Sequence, residues 1–303
     1  MVIFRLPFEM KAIKTAGLLL CTVFLYSCAR NVDKSKLTAY NCRLYYDTPV
    51  WKLAKAVRHQ NVARIKKLIT VKKIDPNYQE PIMGETVLMY AILTQKYKSC
   101  EALLKAGADP NIHETSDGSS AIIEAARISR ERVKDDNTRF LKLLLSYGAN
   151  PSDIETGVRR EGNWTRDTPL IAASGDLNYT VSPLAKVKLL VEAGADINYC
   201  NEFGISALKN SSFNLDVMLY LLQQGADYTI PFYTIKEQNY YILDFLRWKI
   251  FPLESESYRQ KMAIVAFLKE KGLDYWASPI PELALIEIKR KYSDNLEEYL
   301  KKY

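Results

Sequence analysis

A five-residue phrase recurs along this chain, each time closing an apolar stretch. It reads Gly107-Ala108-Asp109-Pro110-Asn111, Gly148-Ala149-Asn150-Pro151-Ser152, Gly194-Ala195-Asp196-Ile197-Asn198 and Gly225-Ala226-Asp227-Tyr228-Thr229. Weaker copies flank these, Lys73-Ile74-Asp75-Pro76-Asn77 before and Gly272-Leu273-Asp274-Tyr275 after. Repetition at this period restricts the chain to a stack of short units, each too small to bury its own apolar face and so dependent on its neighbours. Before the phrases stand Ala102-Leu103-Leu104, Leu143-Leu144-Leu145, Leu189-Leu190-Val191 and Leu221-Leu222, which read as the last turns of apolar helices. A glycine just beyond can adopt the left-handed conformation that ends a helix, and the Asp/Asn and Pro that follow favour a turn.

About twenty residues upstream lies a second signal, a Gly-x-Thr/Ser turn opening a short apolar helix. Gly84-Glu85-Thr86-Val87-Leu88-Met89-Tyr90-Ala91 and Asp167-Thr168-Pro169-Leu170-Ile171-Ala172-Ala173 are the clearest cases, with Gly118 to Ala126 and Gly204 to Leu208 alongside. In this combination the chain resembles the ankyrin-repeat family, over roughly residues 48 to 275. The resemblance implies an all-α solenoid of about six repeats, each a pair of antiparallel helices with a finger loop. Ankyrin units run about 33 residues, whereas the phrase-to-phrase steps here are 34, 41, 46, 31 and 47. The extra length falls at Ile128 to Thr138, expected to lengthen both helices of repeat 3, at the finger Ser152 to Arg166, and at Leu177 to Pro183. The sixth repeat is the most degenerate, its helices expected on either side of Phe251 to Arg259. Pro281 to Tyr303 reads as one further helix, either a cap with a polar outer face or a separate functional tail.

The N-terminus carries a targeting signal. Lys11 and Lys14 precede an apolar run from Ala16 to Tyr26, too short to span a bilayer and followed by Ser27-Cys28-Ala29. Leu25-Tyr26-Ser27-Cys28 resembles the bacterial lipobox, although Tyr26 is unusual in its slot. That resemblance implies removal of residues 1–27, lipidation of Cys28 and a tether over 28–40, ahead of an ankyrin-repeat domain at 41–275 and a capping helix at 276–303. With Ala29 after the cysteine, it implies attachment to the outer membrane facing the periplasm. Either Met1 or Met10 is the start, Met10-Lys11-Ala12-Ile13-Lys14 being the more ordinary opening, and the mature protein is the same in both cases. Cys42, Cys100 and Cys200 remain in an oxidising compartment; a Cys42–Cys100 disulfide is one option and free thiols the other, with Cys200 read as free.

Chemistry is hard to find. Only two histidines exist, His59 and His113, and neither has a metal-type neighbour in sequence. There is no phosphate-binding loop, no G-x-S-x-G and no Cys-x-x-Cys. Asp109, Asn150, Asp196 and Asp227 recur as turn formers rather than as paired acids. No metal, cofactor or catalytic residue is expected, and the chain reads as a non-enzyme. Lys and Arg are read as scattered, with no nucleic-acid patch. Twenty tyrosines suit an interface, where tyrosine, tryptophan and arginine concentrate.

By family resemblance a partner lies against finger tips and first helices. The long finger offers Arg159, Arg160, Trp164 and Arg166; the next, Tyr199, Glu202 and Phe203; the one after, Tyr228, Phe232 and Tyr233, with Tyr240 close by. Packing under their own loops is the competing reading for these aromatics, and Tyr90 and Trp51 are assigned to core or ridge. The chain resembles the ankyrin-repeat lipoproteins of Gram-negative bacteria that act as immunity proteins to type VI secretion lipase effectors. That likeness implies a one-to-one complex with a toxic effector whose active site is covered, and no nucleic acid. The alternative is an envelope protein-binding scaffold, or an accessory protein to a periplasmic enzyme.

Overall fold

The recurrent glycines end helices as their spacing requires. In the computed structural model, which describes residues 33–128, 138–157, 166–175 and 183–303, Gly107, Gly148, Gly194, Gly225 and Gly272 all have φ between +82° and +97°. Six residues before each Asp/Asn or its equivalent, a leucine (Leu103, Leu144, Leu190, Leu221, Leu268) is at most 1% exposed. Its carbonyl accepts the N–H of the residue after the glycine, at 2.9–3.1 Å. One residue thus supplies an apolar anchor, worth about 2 kcal/mol when fully buried, and an acceptor that closes the helix end.

Fourteen helices follow among the described residues. Six pairs build the stack: α1 (Trp51–Arg58) with α2 (Val62–Thr70), α3 (Val87–Leu93) with α4 (Tyr97–Lys105), and α5 (Ala121–Arg127) with α6 (Arg139–Ser146). Next come α7 (Pro169–Ser174) with α8 (Leu184–Glu192), α9 (Ala207–Asn210) with α10 (Leu215–Gln223), and α11 (Ile242–Arg247) with α12 (Glu256–Glu270). First helices α1, α3, α5, α7 and α9 pack in sequence as one layer; in the other, α2 meets α4, α6 meets α8, and α8, α10 and α12 follow in turn. One apolar core runs through the stack from Cys42 to Tyr275. Thr86, Thr168 and Ser206 cap α3, α7 and α9 by accepting the N–H of Met89, Ile171 and Lys209.

A side-chain ladder staples the turns together. Asn77 accepts the N–H of Asp109, Asn111 that of Asn150, Ser152 that of Asp196 and Asn198 that of Asp227, at 2.8–2.9 Å. The same four side chains donate to the carbonyls of Gly107, Gly148, Gly194 and Gly225. The Pro-Asn half of the repeated phrase is therefore an inter-repeat device.

Three expectations need correction, and one finger has an added feature. Helix α5 ends at Arg127, where Ile128 turns extended, and α6 begins at Arg139, so the third-repeat insertion separates these helices without lengthening them. In repeat 6, α12 begins at Glu256, capped by Ser255, which shortens the expected gap. The finger before it is a β-hairpin, β1 (Tyr233–Ile235) with β2 (Gln238–Tyr240). Finally, the C-terminal segment is two helices, α13 (Glu282–Lys291) and α14 (Leu296–Lys302), broken at Ser293-Asp294-Asn295, residue types of low helix propensity.

That segment also brings a small core of its own, formed by Ile288, Tyr299 and Tyr303. It docks on repeat 6 through Arg247, whose guanidinium donates to the carbonyls of Tyr275, Ser278 and Tyr303 at 2.8–3.0 Å. Lys261 lies 3.9 Å from the Tyr303 ring, and burial, reinforced by Arg247, pulls its ammonium down to about 7. At the other end Tyr45 donates to the Thr86 carbonyl at 2.8 Å and meets Tyr90 edge-on. Cys42 and Cys100 are buried free thiols, and burial pushes both up. Tyr90 is buried, and Trp51 is half-buried beneath Lys55.

Candidate functional site

The fingers are stiffened by one residue per repeat, five positions after the Asp/Asn of each phrase. Glu80 accepts the N–H of Ile82, Met83 and Glu85 at 2.6–3.3 Å. Glu114 does the same for Ser116, Asp117 and Ser119 at 2.6–3.0 Å. Glu155 accepts the Asp167 N–H at 2.9 Å and pairs with Arg127. Asn201 accepts the N–H of Phe203 and Ile205 at 3.0 Å and donates to Asp167 at 2.8 Å. All four are at most 6% exposed. A buried acceptor serving several backbone N–H groups fixes a loop that would otherwise be mobile. In the next finger Phe232 takes this position and fills it with a ring.

The expected binding residues divide accordingly. Arg159, Arg160, Trp164 and Cys28 lie outside the described residues. Arg166, Tyr199, Glu202 and Phe203 come together across two neighbouring fingers. Arg166 has φ +51°, donates to the Glu155 carbonyl at 2.9 Å and sits 3.8 Å from Glu202. The Tyr199 hydroxyl donates to the Arg166 carbonyl at 3.0 Å, and burial followed by Glu202 and Asp167 pushes its pKa up. Phe203 is 55% exposed at the tip, so this ring stands at the surface while its neighbours brace the loop.

The third finger departs from expectation. Phe232 is 6% exposed and stacked on Phe245 at 5.0 Å, which makes it core. Tyr233 stacks on Tyr240 across the hairpin at 4.8 Å, and Tyr228 packs against the core. The hairpin still displays Ile235, exposed at its turn. His113 is absorbed by structure, one ring nitrogen 2.6 Å from the Gly118 carbonyl and the other 3.1 Å from Asp153. His59 is the exposed C-cap of α1.

Phe213 and Trp248 are among the exposed aromatics that the sequence did not single out. Phe213, 67% exposed in the turn between α9 and α10, and Trp248, 41% exposed after α11, flank Lys249, whose ammonium is 4.8 Å from the Phe213 ring. An aromatic inside the polar turn Ser211-Ser212-Phe213-Asn214 was the available signal. Charge is also less scattered than expected: residues 48–74 hold eight of the 42 basic groups and none of the 35 acidic ones.

A buried acid lies beneath the first described finger. Glu85 is 6% exposed, and one of its carboxyl oxygens has no partner. Burial first, then Glu114, Glu124 and Glu80, push its carboxyl up to about 8. Its folded value lies above the ordinary one, so its contribution to stability is complete below about pH 4.5 and declines as pH rises through 8. Relative to Glu85→Gln, the native chain should lose up to about 1.4 kcal/mol per pH unit inside that window. Urea midpoints of both chains at pH 5 and pH 7.5 measure this; a constant difference would mean that Glu85 ionises normally.

Among the described residues no three His, Cys, Asp or Glu side chains are grouped to hold a metal ion, and no helix is long and apolar enough to cross a membrane. Residues 53–154 match the family model for ankyrin repeats in three copies. The crystal structure of EF0377, an ankyrin repeat protein, superposes with a TM-score of 0.50 at 19% identity, covering 73% of this chain and 98% of that one. No curated protein matches the sequence. Beyond residue 154 the same glycine turns and inter-repeat ladder continue through Asp227, so the fold is an ankyrin-repeat solenoid well past the matched segment.

Proposed function

We propose that this ankyrin-repeat solenoid is a protein-binding lipoprotein that neutralises a toxic secreted effector. Lipidated Cys28 tethers it to the outer membrane, facing the periplasm. The effector is a type VI secretion phospholipase, held one-to-one with its active site covered and substrate excluded. The compartment is read from the leader and from Leu25-Tyr26-Ser27-Cys28; the immunity role follows the lipoprotein resemblance. No step of catalysis is assigned to the chain.

The observation that carries the binding reading is the braced tip at Phe203. A large ring is 55% exposed on a loop whose backbone is held by buried Asn201 and whose own Tyr199 donates to the Arg166 carbonyl of the facing finger. A preformed loop keeps the ordering cost of association low, and truncating an aromatic anchor typically costs ~2 kcal/mol or more. Phe203→Ala should therefore weaken effector binding about thirtyfold, since 1.4 kcal/mol is tenfold, with the thermal midpoint unchanged. Calorimetric titration of the effector with both chains tests this. Equal affinities would remove Phe203 from the interface and leave Arg159, Arg160 and Trp164 as the anchors to examine. An effector that stays active in the complex would favour an accessory scaffold.

A further inference from the structure

The net charge of the chain is concentrated in its first repeat. Residues 48–74 contain six lysines and two arginines with no Asp or Glu; the remainder holds 34 basic against 35 acidic groups. All eight cations are exposed, and none forms an ion pair with a described residue. A solvated helix face ordinarily mixes signs, because like charges at one end of a stack repel one another.

The geometry gathers these charges. Lys52 of α1, Arg64 and Lys67 of α2 and Lys72 in the following turn line an open depression of about 790 Å3, floored by Leu68 and Ile74. At the two ends of α2, Val62 and Val71 are 44% and 64% exposed. Helix α2 packs on α1 and α4, and among the described residues it is the first outer helix of the stack, with no preceding repeat against its other side.

The chain enters at this same end. Asp33 caps a short 3-10 turn over Lys34–Lys36, the Lys34 ammonium donates to the Tyr46 carbonyl, and the turn Cys42–Tyr45 packs on α1. Cys28 precedes Asp33 by five residues, at most about 18 Å of extended chain.

We propose that this face of the first repeat docks on an anionic phospholipid surface. Its cations seat lipid phosphates around the depression while Val62 and Val71 enter the headgroup layer. Basic side chains near an anionic surface are attracted within a Debye length of it, and a polybasic patch beside an acyl anchor supplies a second, orienting attachment. The stack then projects away from the membrane and presents its later fingers, Phe203 among them, to a partner. The inference takes from the lipoprotein reading only the position of the membrane, and its test does not use the anchor.

The test mixes the unlipidated chain from Ala29 to Tyr303, which contains every described element, with vesicles of phosphatidylglycerol and phosphatidylethanolamine. Vesicles of phosphatidylcholine serve as the neutral arm. The chain should sediment with the anionic vesicles at low salt, leave them above about 0.5 M NaCl, and ignore the neutral ones. The triple variant Arg64→Gln, Lys67→Gln, Lys72→Gln should bind roughly a hundredfold more weakly, about fivefold per charge removed, with its circular dichroism unchanged. A triple at the distal end, Lys269→Gln, Lys271→Gln, Lys289→Gln, should bind as the native chain does. Equal binding to both vesicles, native-like binding by the first-repeat variant, or no binding to either would overturn the proposal. Retention on polyglutamate without vesicle binding would also overturn it and assign the face to an acidic protein. Lipid labelling of the full chain and of Cys28→Ser reports on the anchor separately, so either idea can fail alone.

Discussion

Gly118→Ala should cost the chain on the order of 3 kcal/mol, whereas Gly225→Ala should cost only about 1 kcal/mol. Both glycines have positive φ, +71° and +90°, and alanine pays a conformational penalty of roughly 1 kcal/mol in either place. Their surroundings differ. A Cβ on Gly225 meets nothing within 4 Å, but on Gly118 it would lie 1.7 Å from the Gly157 nitrogen and 2.4 Å from the Thr156 carbonyl carbon. Those atoms are backbone and cannot rotate aside. Thr156 donates its N–H to the Gly118 carbonyl at 3.0 Å, and Gly157 to that of Asp117 at 3.2 Å. The two fingers must separate to admit the methyl, forfeiting both bonds at about 1 kcal/mol each. Urea unfolding of the two variants measures the difference. Equal costs would mean that these fingers do not touch as described.

Arg127→Met should cost about 3 kcal/mol, and more at pH 8 than at pH 5. Arg127 sits at the C-terminal end of α5, donates to Glu124 at 3.1 Å, pairs with Glu155 and lies 3.9 Å from Asp167. Glu155 is 4% exposed, and removing the cation nearest a buried carboxylate typically costs 3–5 kcal/mol. Burial already pushes the Asp167 carboxyl up. Without the guanidinium, the Asp167 carboxyl is held further above its ordinary value, so the variant takes up protons on folding and gains stability as pH falls. The double variant Arg127→Met, Glu155→Gln should recover most of the loss, because no buried charge is left unmatched. Denaturant titrations at the two pH values, read as a double-mutant cycle, provide the check. A single variant within about 0.5 kcal/mol of native would show that Arg127 is solvated and dispensable.

What could be read from the sequence followed from how local each cause is. The helix ends were legible because a glycine at φ near +90° is chosen by its own backbone. The stack was legible because Leu103, Leu144, Leu190 and Leu221 hold one register against that glycine. The acceptors Glu80, Glu114, Glu155 and Asn201 share an equally fixed offset, yet acids in a loop resemble solvated charge until the N–H groups around them are placed. The hairpin at Tyr233–Tyr240 turns through Lys236 and Glu237 at φ +47° and +66°, residues that give no turn signal, so tertiary packing of Phe232 on Phe245 decides it. The tip at Arg166, Tyr199, Glu202 and Phe203 was found by residue type. That Tyr199 braces and Phe203 presents depends on two fingers meeting, which no single stretch of sequence encodes. The basic first repeat was visible throughout, but helix-by-helix reading spread its charges over separate faces.

The central claim is that the finger face binds and silences one protein. Its most direct measurement captures partners from the native strain on the mature chain and titrates the activity of the captured enzyme with purified chain. The account predicts a single hydrolase whose activity falls linearly to zero at one equivalent, with Phe203→Ala shifting the titration to higher concentration. Capture of several envelope proteins, or of one enzyme that remains fully active when saturated, would contradict it.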